Sequence, residues 1–169
     1  MRSFGFFLAS LWILIAAGCA QNPVMPVIDD EVYVRDNELD IEVIFNFDRK
    51  DITVYNENVQ SAYVWIGREV RGTNHPNPSD PDYPYLRTFE AWVPGRGGKV
   101  SDRAAFDYKD NIKMRLRVDQ YERIHYFSLG EKPKSGSATG SEVVFDSTLT
   151  IIYSTEFPDS IVKIIRSTE

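Results

Sequence analysis

From residue 31 onward, apolar and polar positions alternate with a period of two, in short runs about ten residues apart. In residues 39–47, Leu39, Ile41, Val43, Phe45 and Phe47 interleave with Asp40, Glu42, Ile44 and Asn46. This predicts a strand with one face in a core and the other mostly in water. Residues 32–35 form a shorter run before it, and Asp36, Asn37 and Glu38 between them supply turn chemistry for a hairpin. After the turn 48–51 comes a further strand at 52–55. Residues 59–70 are apolar on both faces, with Tyr63 and Trp65 on one and Ala62, Val64 and Ile66 on the other, which predicts a central strand. Strands follow at 86–93, 112–119, 121–129, 143–154 and 161–165, the last assigned by its β-branched content over a helix capped by Asp159 or Ser160. In 112–119, Ile112, Met114, Leu116 and Val118 face inward, each worth about 1.5–3 kcal/mol on burial. Ser101-Asp102 ahead of Ala104, Ala105 and Phe106 predicts one helical turn.

This patterning predicts an all-β fold, an antiparallel β-sandwich of about 7–9 strands, with a small β-barrel as the alternative. In outline it resembles the transthyretin-like or immunoglobulin-like sandwiches of bacterial surface lipoproteins, a likeness that implies a fold and no function. Two stretches interrupt the strands. Residues 72–85, GTNHPNPSDPDYPY, hold four prolines and no period, and predict an irregular loop of the kind that carries function. Residues 130–141 are rich in Gly and Ser and predict a mobile connection.

The first nineteen residues follow another logic. Arg2 leads into an apolar run from Phe4 to Ala17, and small residues precede Cys19. That is the build of a secretory signal, and the run of 14 residues is shorter than the roughly 20 that a spanning helix needs. Ala16-Ala17-Gly18-Cys19 resembles the lipobox of bacterial lipoproteins, with Ala16 where Leu is commonest. The resemblance implies cleavage after residue 18, acylation of Cys19, attachment to a lipid bilayer and, with Ala20 rather than Asp next, an outer-membrane location facing the periplasm or the cell surface. Residues 19–30, with Pro23 and Pro26, read as an extended tether of roughly 3 Å per residue, or as an edge strand begun by Val24, Val27 and Ile28. Residues 31–169 then make a single domain.

Composition narrows the function. The net charge is −6, and −7 once Arg2 is removed, which argues against nucleic acid as a partner. Cys19 is the only cysteine, so no disulfide, zinc cluster or thiol nucleophile is expected. The two histidines accompany no nucleophile elbow, P-loop or metalloprotease helix, and no cofactor or enzymatic activity is expected. His125, in phase with Arg123 and Phe127, reads as a partly covered strand histidine. The functional expectation is a binding or structural module in an envelope assembly with a protein partner, and the alternative is a carbohydrate or small-ligand binder.

Three groups are candidates for contact. His75, Asp80, Asp82, Tyr83 and Tyr85 of the loop, with Trp92, offer polar groups and flat rings to a partner or a sugar, or else cover the end of the sandwich. Asn74, Asn77, Asp80 and Asp82 offer oxygens to calcium, although Asx residues between prolines also simply make turns. Lys113, Arg115 and Arg117 form a basic stripe on one outward face, about 7 Å apart, that suits an acidic partner or a lipid headgroup. The stripe can instead pair with Asp40 and Glu42, or with Glu142 and Asp146. Of these groups, the loop is the expected contact surface.

Overall fold

The computed structural model describes residues 30–70, 77–132 and 141–168, which contain eleven strands and no helix. Residues 1–29, which hold the signal and all of the tether but residue 30, residues 71–76 and 133–140 of the two loops, and residue 169 lie outside the described residues. The strands are β1 (Glu31–Asp36), β2 (Ile41–Asn46), β3 (Asp51–Asn56), β4 (Ala62–Glu69), β5 (Tyr85–Val93), β6 (Gly98–Arg103), β7 (Asn111–Val118), β8 (Tyr121–Ser128), β9 (Ser141–Glu142), β10 (Ser147–Tyr153) and β11 (Ile161–Thr168). One sheet has the order β6-β3-β2-β1-β9 and the other β11-β10-β8-β7-β4-β5. Every pairing is antiparallel except β1 with β9. Two open sheets face each other, so the fold is a β-sandwich and not a barrel.

The alternation works as expected. Val32, Val34, Ile41, Val43, Phe45, Ile52 and Val54 of one sheet meet Ala62, Val64, Ile66, Ile112, Met114, Leu116 and Phe127 of the other in a single core. Phe45 joins the layers edge-on, 5.3 Å from the Phe106 ring and 6.2 Å from Phe127. The β1–β2 turn is held by Asp36, whose Oδ1 accepts the backbone N–H groups of Glu38 and Leu39 at 2.9 and 3.0 Å. Asp40 closes that turn at φ 53°, so the strand begins at Ile41 and not at Leu39.

The structure corrects five expectations. Residues 101–106 form no helical turn, because β6 runs through 98–103 and completes its ladder against β3. β4 lies one place in from the edge, and β7 and β8 are the central strands of the six-stranded sheet. Residues 143–154 are not one strand: the chain leaves the five-stranded sheet after β9 and joins the other at β10, and between them Phe145 stacks on the His125 ring at 3.9 Å. The terminal strand is longer than 161–165, and all eight residues of β11 are exposed. β6 and the two-residue β9 carry the strand count past nine.

Candidate functional site

Pairing in the six-stranded sheet sets which side chains share its outer face. One cross-strand row reads Trp92, Tyr63, Arg117, Glu122, Ile151 and Ile164, and the next Glu90, Trp65, Arg115, Ile124, Leu149 and Arg166. Trp65 lies flat along its own strand because Gly67, two residues on, has no side chain; a Cβ there would stand 2.4 Å from the indole. Lys113 and Arg115 cover the same ring at 5.8 and 5.3 Å, a cation–π arrangement that holds the cations as well as the indole.

Residues 77–84 of the proline-rich loop fold back onto this face. Asn77 Oδ1 accepts the Ser79 N–H at 3.1 Å and Asp80 Oδ1 accepts the Asp82 N–H at 2.8 Å, two Asx turns in succession. They deliver Asp82 to the stripe, where its Oδ1 accepts hydrogen bonds from Lys113 Nζ at 2.7 Å and Arg115 Nη2 at 2.6 Å. The loop and the stripe, alternatives on the sequence, are therefore one surface. Arg115 Nε also lies 3.0 Å from Glu122 Oε1, Tyr153 donates its hydroxyl to Glu122 at 2.6 Å, and Arg117 sits 4.6 Å over the Tyr153 ring. The expected partners of the stripe are wrong for a topological reason. Glu42 and Glu142 belong to the opposite sheet, Asp40 to its β1–β2 turn, and Asp146 precedes β10, whereas β7 is flanked by β4 and β8.

Asn77 and Asp80 thus serve backbone turns and Asp82 serves two cations. Among the described residues no group of three or more His, Cys, Asp or Glu is placed to hold a metal ion. Asn74 and His75 lie outside the described residues. Trp92, on edge strand β5, is 67% exposed, with its ring 5.4 Å from Tyr63 and tilted by 52°. Burial, with the hydrogen bond to Glu90 (2.7 Å), pushes the Tyr63 hydroxyl up to about 12. Glu90 in turn is held below the ordinary carboxylate range by its bonds from Tyr63 and Arg87. Tyr83 is exposed on the loop, and Tyr85, at the start of β5, lies 6.0 Å from the Tyr126 ring.

A second polar cluster, between the sheets, escaped the sequence reading. Asp36 follows Val32 and Val34 in the inward phase of β1 and is buried with them. Its Oδ2 accepts from Arg123 Nε at 2.6 Å and from His125 Nε2 at 2.7 Å. His125 Nδ1 lies 2.9 Å from the Thr148 hydroxyl, which can donate or accept as the ring requires. His125 is therefore fully buried, not partly covered as its strand position suggests, because Phe145 caps its ring. Burial alone would raise the Asp36 pKa, but the bonds from His125 and the Leu39 N–H, with the Arg123 charge, lower it to about 2. The Thr–His–Asp line has the order of a nucleophilic relay. With the ring sealed and Arg123 sharing the carboxylate, its chemistry is that of a clamp between sheets. Asp36 and Thr148 of this cluster also line an open cleft of about 390 Å³ between β10, β11 and the β1–β2 turn, together with Glu38, Arg123, Thr150 and Ile165. The signal in the sequence was a carboxylate in phase with two valines.

Comparison with family models, with curated proteins and with solved structures found no match to this chain.

Proposed function

We propose that this chain is a non-enzymatic binding or structural module of a bacterial envelope assembly, acylated at Cys19, held in the outer membrane and docked to an envelope protein through the outer face of its six-stranded sheet. The anchor rests on the signal-like stretch ending at Cys19. The observation that supports the docking face is the clip between the loop and the stripe. Asx turns and the Asp82 bridge order residues 77–84 before any partner arrives, so binding there pays little ordering entropy. Exposed Trp92 and Tyr83 provide rigid anchors beside it. The stripe contributes as the base of this surface, since Lys113 and Arg115 are already paired with Asp82.

A photo-crosslinking residue at Trp92 or Tyr83 of the full-length chain, activated in the native cell, tests the face. A discrete adduct with an envelope protein is expected, and an adduct formed equally well from exposed Val59 would refute it. Trp92 and Tyr63 beside the Glu90 carboxylate also favour a second reading, a sugar-binding platform. Glycan-array binding by the full chain, lost in Trp92→Ala, would select it.

A further inference from the structure

Among the described residues, the β11 edge of the six-stranded sheet has no covering element. β11 pairs with β10 alone among the described residues, and both of its faces are exposed: Ile161 is 51% exposed, Val162 68%, Ile164 57% and Ile165 42%. An edge strand with free backbone groups and apolar side chains on both sides is a template for another strand. We propose that β11 pairs antiparallel with β11 of a second copy of this chain, joining two six-stranded sheets about a two-fold axis.

The strand's own pattern points to a second copy. In β11, Ile164 and Arg166 lie on the outer face, opposite Ile151 and Leu149, whereas Lys163 and Ile165 lie on the inner face, opposite Ile152 and Thr150. A two-fold axis perpendicular to the sheet keeps outer residues against outer and inner against inner. Because Lys163 and Arg166 are on different faces, this symmetry never sets one directly against the other. Like charges meet only when the axis passes through Lys163 or through Arg166. The two registers between avoid this, with the axis at Ile164 or at Ile165, and each places an isoleucine against its own copy. In the first, Lys163 of the second copy stands opposite Ile165, and in the second opposite Ser167. Both residues line the cleft that also holds Glu38, the exposed carboxylate at its mouth.

The length of the pairing is limited. The register shift between Ile152 and Tyr153 marks a bulge at the start of β11, which leaves 163–168 as its regular part. So short a pair buries less than the roughly 1,200 Å² of a standard stable interface. The dimer is therefore weak in dilute solution and favoured where copies are concentrated on one surface. The anchor proposed above would supply that concentration, but the pairing itself does not depend on it.

Directly opposed strand residues have Cα atoms about 4.5–5.5 Å apart, within disulfide reach. Single cysteines placed in the full-length chain, purified in detergent and mildly oxidised, therefore read the register. Ile164→Cys or Ile165→Cys should yield a disulfide dimer well above the level of the unmodified chain, whose own Cys19 is the background, and of Val59→Cys. Sedimentation across a concentration series should show a monomer–dimer equilibrium that Ile164→Lys weakens by about tenfold while the melting transition stays in place. A chain that stays monomeric throughout, with cross-linking no better than from Val59→Cys, overturns the proposal. So does a different protein captured at this edge in place of a second copy. Loss of membrane attachment in Cys19→Ser would leave both readouts unaffected, so failure of the pairing and failure of the anchor are told apart.

Discussion

Replacing Asp36 with asparagine keeps the shape of the inter-sheet clamp and removes its charge, so the loss of stability measures what that charge contributes. The carboxyl titrates at about 2 in the folded chain, against an ordinary value of 3.8 for an aspartate in water. Lowering the carboxyl from 3.8 to about 2 corresponds to roughly 2 kcal/mol favouring the ionised form. Because the folded pKa is depressed, this stabilisation is fully present above pH 3.8 and is lost as pH falls through about 2. Asp36→Asn should therefore unfold about 2–3 kcal/mol more easily than the parent in urea at pH 7. The gap should close as the pH is lowered from about 4 toward 2, where the parent carboxyl also becomes neutral. Full deletion in Asp36→Ala should cost more, about 3–5 kcal/mol, since Arg123 and buried His125 lose their shared acceptor. Equilibrium urea unfolding at a series of pH values measures all three. A deficit in Asp36→Asn below about 0.5 kcal/mol at pH 7, or one of constant size down to pH 2, would refute the electrostatic account of the clamp.

Gly67→Ala should displace the Trp65 indole at a cost of about 1–3 kcal/mol, seen as a lower melting temperature with a red-shifted tryptophan emission. Asp82→Ala leaves the nearly buried Lys113 without its carboxylate and should lower stability by about 1–3 kcal/mol in urea unfolding. For the same reason, swapping residues 73–84 for a Gly-Ser linker should destabilise the domain as well as weaken partner capture, and an unchanged melting curve would show the clip to be dispensable. Cys19→Ser should move the full-length chain out of the membrane fraction and abolish its acylation, and an acylated membrane protein in that variant would end the anchor reading.

The sequence alone determined the fold class and most of the core. Alternation with period two is a local property, written within each run, so that Val32, Val43, Val64 and Met114 declare their inward side before any partner is known. The same alternation flagged the basic stripe and its outward side. Which sheet a strand joins is not written locally, and that choice separated β6 and β9 from their expected roles and gave Lys113 and Arg115 a loop carboxylate in place of Asp40 or Glu42. The clamp lay further out of reach, since Asp36 meets Arg123 and His125 across 87 and 89 residues of chain. A carboxylate in phase with valines is a penalty on one strand and becomes a stabilising charge only when the facing sheet supplies its donors, so the tertiary structure decided it.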